Sequence, residues 1–151
     1  MEPKLITQSA FTVVGLLLHT TPMSPDIPAL WDKFVPRMGE IPHRTPEQVS
    51  YGLMGHFDQT TGMFDYMAGS PVTRVSQLPA GMSSWEVAAN TYVVIETTLP
   101  QIGAAMSDLY QTWLPASDYS ALDAPSFERY GAAFSPENPV VEIYIPVKKN
   151  L

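Results

Sequence analysis

An order of elements that occurs twice constrains this chain more than any single residue does. Residues 4–20 are β-rich and lead into Ser24-Pro25, an N-cap serine followed by proline at the first helical position. Ile27, Leu30, Trp31, Phe34, Val35 and Met38 then follow at helical spacing, until Pro36 and Gly39 close the helix. Residues 48–57 read as a strand, 58–62 as a turn and 63–68 as the return strand of a hairpin. The second half repeats the plan. A strand over 90–97 meets Thr98-Leu-Pro-Gln101, which has the form of a capping box with an early proline. Ile102, Met106, Leu109, Tyr110 and Trp113 mark a second amphipathic helix, stopped by Pro115. Strands over 128–134 and 139–147 follow, with a Ser-Pro-Glu-Asn turn between them.

Each half therefore reads strand, helix, strand, strand. The expected fold is α+β: a duplicated βαββ unit whose two pseudo-symmetric halves, about 4–73 and 85–147, form one domain over 1–151. An antiparallel sheet, two main helices and a central groove at the seam complete the expectation. A short echo supports the duplication. Tyr51-Gly52 followed by Phe64-Asp65-Tyr66 parallels Tyr130-Gly131 followed by Val141-Glu142-Ile143-Tyr144, which sets Asp65 opposite Glu142.

Composition narrows the function classes. The chain has 151 residues, 8 basic and 15 acidic side chains and a formal net charge of -7, which argues against a surface that tracks nucleic-acid phosphates and favours cationic partners. It has no cysteine, so a disulfide framework, a thiolate metal site and a cysteine nucleophile are excluded. His19, His43 and His56 show no metal-ligand spacing, and no phosphate loop or Ser-His-Asp arrangement occurs. No cofactor, metal site or catalytic set is expected. The longest apolar run, 10–18, is far too short to span a membrane, and a cytoplasmic protein is expected.

The last strand holds a lone carboxylate. Glu142 sits within Val140-Val141-Glu142-Ile143-Tyr144-Ile145, where a buried, unpaired charge would cost several kcal/mol. Such a residue must be paired, solvated or awaiting a ligand.

Tyr51-Gly-Leu, Trp85-Glu-Val-Ala-Ala-Asn-Thr-Tyr92, Trp113-Leu-Pro-Ala-Ser-Asp-Tyr119, Phe127-Glu-Arg-Tyr130 and Val141-Glu-Ile-Tyr-Ile-Pro-Val147 occur in this order. The chain thereby resembles the GyrI-like effector-binding domain, also called the AraC-type or bacterial transcription-activator effector-binding domain, from about residue 4 to 147. The resemblance implies a groove that binds small organic molecules, often lipophilic cations. It places Glu142 at the family's buried acidic position and Trp85, Tyr92 and Trp113 along the groove. Tyr66 and Tyr144 join them through the internal repeat and strand proximity. Trp31 reads as core or as the counterpart of Trp113. Met54, Met63, Met67, Met82 and Met106 suit an adaptable apolar wall or ordinary core.

Many relatives of this kind are fused to a DNA-binding domain, for which these 151 residues leave no room. A standalone sensor or sequestering module for cationic aromatic drugs is the expected function. It would not contact nucleic acid or membrane directly, and its protein partner could be a DNA-binding regulator or gyrase. The alternatives are a hydrolase acting on strained electrophilic natural products and a gyrase-inhibitor-type regulator.

Overall fold

The computed structural model describes residues 2–151. Its strands are β1 (Lys4–Gln8), β2 (Phe11–Thr20), β3 (Ser50–Gly55), β4 (Phe64–Val72), β5 (Ser83–Val87), β6 (Asn90–Thr98), β7 (Tyr119–Ala121), β8 (Ser126–Tyr130) and β9 (Val140–Lys149). Helix α1 spans Asp26–Phe34 and continues as a 3-10 turn over Val35–Glu40. Helix α2 spans Ile102–Asp108, widens into a π-helical turn over Leu109–Trp113 and ends in a last α-helical turn, Leu114–Ala116.

All nine strands join one antiparallel sheet in the order β1-β6-β9-β8-β3-β4-β2-β5, with β7 on the far end of β9. Reading outward from the central β3–β8 pair, the order is β3, β4, β2 on one side and β8, β9, β6 on the other. These are the two βαββ units, β2-α1-β3-β4 and β6-α2-β8-β9, related about the β3–β8 seam. The 4–20 stretch divides at Ser9-Ala10, and the units exchange their leading strands. β1 precedes β2 in the chain but pairs with β6, and β5 precedes β6 but pairs with β2. Trp85 accordingly lies in an edge strand, where the sequence suggests a loop.

The period of two in each strand sends neighbouring residues to different cores. Val14, Phe64 and Ala68 pack under Leu30 and Phe34 of α1. Val93, Ile95 and Ile143 pack under Ala105 and Leu109 of α2. Their neighbours Val13, Met67, Val94 and Tyr144 join Tyr51, Tyr92 and Phe127 in a third cluster on the reverse face. The sheet curls around that cluster: Phe11 of β2 reaches Phe127 of β8, three strands away, at a ring separation of 5.3 Å. Curling needs close backbone approach at β2–β4, where a Cβ on Gly15 would meet the Ala68 carbonyl oxygen at 1.9 Å.

The expected signals at the helix ends fare differently. Ser24 Oγ accepts a hydrogen bond from the Asp26 amide at 3.1 Å, but α1 begins at Asp26, so Pro25 holds the cap position and Ser24 stands one residue before it. Thr98 instead ends β6 in extended conformation with no side-chain cap. Pro115 does not stop the second helix outright. It lies in the last α-helical turn, directly after the π-helical turn, where a missing N–H is tolerated. Among the described residues no helix is long and apolar enough to cross a membrane.

Phe127 is fully buried and touches the rings of Phe11, Tyr51, Tyr92 and Tyr144. Phe127→Ala should therefore destabilise the fold by about 3–5 kcal/mol in a urea or guanidinium melt. A loss below about 1 kcal/mol would show that the reverse-face cluster is not a close-packed core.

Candidate functional site

Over the central strands the helix side of the sheet is not filled. β3 presents Ser50, Gly52 and Met54 there, and β8 presents Ser126, Glu128 and Tyr130, in the register Ser50↔Tyr130, Gly52↔Glu128 and Met54↔Ser126. α1 and α2 cover the outer strands and leave a cavity of about 1050 Å³ between them. Each helix divides its apolar stripe. Leu30 and Phe34 of α1 meet the sheet, while Ile27 and Trp31, with Val35 just beyond, face the cavity. Ala105 and Leu109 meet the sheet, while Ile102, Met106 and Tyr110 face the cavity.

Glu128 is the carboxylate at its floor. Tyr66 and Tyr130 donate their hydroxyls to Glu128 Oε1 at 2.7 and 2.9 Å. Trp31 Nε1–H donates to the Tyr66 oxygen at 2.8 Å, which fixes the direction of the chain: indole to phenol to carboxylate. Among the described residues no donor reaches Oε2, so one oxygen is held and the other is left for the cavity. Gly52 makes the arrangement possible. A Cβ at that position would lie 2.3 Å from the Tyr66 hydroxyl and 2.5 Å from Glu128 Oε1. The Trp31 ring stands edge-on to Tyr130 at 5.1 Å, and Phe134 stands edge-on to Tyr130 at 4.9 Å.

Burial pushes the Glu128 carboxyl above the usual carboxylate range, although both tyrosine hydrogen bonds pull it down. Burial first, and the Glu128 charge second, raise both tyrosine hydroxyls well beyond their ordinary value, so they remain donors at any physiological pH. Asp32 and Asp123 add two carboxylates to the lining and His56 adds an imidazole; among the described residues no lysine or arginine lines it. A desolvated anion with a free oxygen, ringed by aromatic faces, can attract a cation by charge and by the ring quadrupoles together.

Of the six residues expected in the groove, the structure brings only Tyr66 to this cavity. Glu142 lies on the reverse face, opposite Arg129 in the β8–β9 register, and pairs with its guanidinium at 3.0 Å. The charge that looked unsupported in the sequence is paired, and about a quarter of the side chain meets solvent. Tyr92 and Tyr144 belong to the reverse-face core, around Phe127. Trp85 projects from β5 toward the same side and stacks on His56 at 5.3 Å. Trp113 lines a separate groove of about 340 Å³ beside Pro3 and Asp108. Asp65 is held by His19 Nδ1 and His56 Nδ1, each at 2.8 Å. Met54 and Met106 do line the cavity, and Met23 and Met38 join them, whereas Met67 and Met82 are buried core.

Glu128, Tyr130 and Trp31 were missed as site residues. The signal for the first two was alternation in Ser126-Phe-Glu-Arg-Tyr130: Phe127 and Arg129 take one face, and Glu128 and Tyr130 the other.

The sequence profile of the GyrI-like small molecule binding domain matches residues 1–148. The chain belongs to this family. Its GyrI-like domain is 31% identical over 152 residues to the transcriptional regulator BrlR of Pseudomonas aeruginosa. That match covers 97% of this chain and 56% of BrlR, so the domain spans about half the length of that relative. Among solved structures, the fold superposes on SAV2435 bound to tetraphenylphosphonium with a TM-score of 0.75 and 19% identity, over 98% of this chain and 94% of that one. An integron cassette protein from the mobile metagenome of Vibrio cholerae matches with a TM-score of 0.68 and 25% identity, over 97% and 95% of the two chains.

Two expected outcomes test the geometry of the carboxylate. Tyr66→Phe removes a donor to Oε1, so the Glu128 carboxyl should titrate at still higher pH in a ¹³C NMR titration. Because the folded pKa lies above the unfolded one, the Glu128 contribution to stability is full at low pH. It is lost as pH rises from the ordinary glutamate range through the folded value. Glu128→Gln should flatten that descending limb of stability against pH; an unchanged limb would place the perturbed carboxyl elsewhere.

Proposed function

We propose that the cavity binds lipophilic aromatic cations, with the positive charge against Glu128 Oε2 and the rings against Trp31, Tyr66 and Tyr130. The observation that carries this reading is the split hydrogen bonding of Glu128: Oε1 takes both tyrosine hydroxyls and, among the described residues, Oε2 takes no donor. An apolar cavity with one oriented, partly desolvated charge is suited to a hydrophobic ion and poorly suited to a hydrated one. Further support comes from the tetraphenylphosphonium held by SAV2435, whose fold this chain shares. The wall supplies tolerance of shape. Met23, Met38, Met54 and Met106 are unbranched thioethers that repack around different outlines.

The reading makes this domain a sensor or a sequestering module, in which recognition rests on charge and aromatic surface, not on a fixed outline. Cation selectivity follows from the mostly acidic lining, since an anion of the same shape would meet three carboxylates against one basic side chain, His56.

Trp31 lies in the cavity wall and reports occupancy by its fluorescence. Tetraphenylphosphonium should quench it saturably, and its neutral isostere tetraphenylmethane, presented in a solubilised form, should bind at least tenfold more weakly. Glu128→Gln should weaken the cation by about 3 kcal/mol, the attraction of unit charges about 5 Å apart at an effective dielectric constant of about 20. Glu142→Gln should leave it unchanged. The phosphonium charge does not titrate, so affinity should rise as pH passes upward through the raised Glu128 pKa. Loss of binding in Glu142→Gln with full binding in Glu128→Gln would overturn the assignment.

A further inference from the structure

We propose that Trp31 is a positioning residue that ties the charge on Glu128 to the seating of helix α1, so that a cation bound at Glu128 is felt as tighter docking of this helix. This rests on the cation reading above and adds to it the part of the fold that responds.

Three observations lead there. The first is the order of donors. An indole N–H can only donate, so the 2.8 Å contact from Trp31 Nε1 to the Tyr66 oxygen leaves the Tyr66 proton for Glu128 Oε1, at 2.7 Å. Tyr66 is 1% exposed, so solvent supplies no substitute for either partner. Trp31 thereby aims a hydroxyl that it does not share with the ligand, and acts on Glu128 through Tyr66.

The second observation is how α1 is attached. Among the described residues, the Trp31–Tyr66 contact is the one hydrogen bond or ion pair that joins α1 to the sheet. The helix is nine residues long, its cap residue Pro25 offers no side-chain hydrogen bond, and its other hold on the sheet is the packing of Leu30 and Phe34. A helix this short depends on such tertiary contacts for its stability.

The third is polarisation. Burial raises the Tyr66 hydroxyl most and the Glu128 charge adds to it, while the indole bond works the other way and makes the phenol a better donor. Hydrogen bonds in a chain strengthen one another: a charged Glu128 draws on the Tyr66 hydroxyl, whose oxygen then accepts more strongly from Trp31. Linkage makes the effect reciprocal. Whatever stabilises the charge on Glu128 tightens the hold on α1, and loss of the indole N–H disfavours that charge. A cation at Oε2 stabilises the charged form, and a neutral ligand of the same shape does not.

The other titratable groups around the cavity are Tyr130 on β8, Asp32 on α1, His56 after β3, Asp123 before β8 and Tyr110 in the π-helical turn. Of these, Tyr130 alone hydrogen-bonds Glu128 among the described residues. The test follows the indole ¹H–¹⁵N signals of the three tryptophans by NMR against pH, with Trp31→Phe identifying the Trp31 signal. The Trp31 indole proton should move downfield as pH rises, with the same midpoint as the Glu128 carboxyl in a ¹³C titration. The movement should vanish in Tyr66→Phe and in Glu128→Gln. A Trp31 proton that stays still while Glu128 titrates in the wild type would overturn the tie. Movement that survives in Glu128→Gln would assign it to another group of the lining and overturn it equally. At saturation, tetraphenylphosphonium should slow hydrogen exchange of the α1 amides about fivefold more than solubilised tetraphenylmethane does, the scale of one hydrogen bond. That difference should disappear in Tyr66→Phe, and equal protection by the two ligands in the wild type would overturn the response of α1. Failure of the phosphonium to bind, with the Trp31 signal still following Glu128, would remove the cation reading and uphold the tie between Glu128 and α1.

Discussion

A carboxylate held by one oxygen organises the centre of this molecule. Glu128 stands on β8 opposite Gly52 of β3, at the seam between the two units, and the missing side chain at Gly52 is what admits it. Tyr66 reaches across from β4 and Tyr130 from β8 itself, so both units contribute to its support. Trp31 extends the network to α1. Burial of a carboxyl without such donors would raise its pKa further. The two tyrosine hydrogen bonds pull it back down, while the second oxygen stays open. That balance leaves an open cavity at the seam instead of a filled core.

The cavity follows from how the helices are used. An amphipathic helix that covers a sheet normally commits its whole apolar stripe to the core. Here α1 and α2 sit over the outer strands, and each commits only one edge of its stripe. The other edge, Ile27 and Trp31 on one side and Ile102 and Met106 on the other, lines open space. The stability forgone at the centre is supplied on the reverse face, where the curled sheet closes on Tyr51, Tyr92, Phe127 and Tyr144. The exchange of β1 and β5 ties each unit to the edge of the other.

The fold was largely legible in the sequence because it rests on periodicity. The helical spacing around Leu30 and Leu109 and the alternation around Val93 and Ile143 are local signals, and the repeated order of elements gave the duplication. The exchange of leading strands was not legible, since nothing in 4–20 distinguishes pairing with β4 from pairing with β6. The candidate site was legible in kind and not in place. Sequence reasoning called for a carboxylate among aromatics and chose Glu142, because Val140, Val141, Ile143 and Ile145 make that residue conspicuous. What decides between Glu142 and Glu128 is the face each occupies and the partner across the strand. Arg129 opposite Glu142 pairs with it, and Gly52 opposite Glu128 leaves room for that carboxylate and the Tyr66 hydroxyl. Both facts depend on inter-strand register, which a single strand does not encode. Trp31 was undervalued for a related reason: core and cavity wall share one apolar stripe, and only the placement of the helix separates them.

The most direct measurement is a crystal structure of the domain with tetraphenylphosphonium. The expected result is phosphorus in the cavity between α1 and α2, phenyl rings against Trp31 and Tyr130, and Glu128 Oε2 turned toward the charge with the Oε1 hydrogen bonds intact. A phosphonium seated beside Glu142 or Trp113, with the central cavity empty, would contradict the assignment of Glu128 as the anchor.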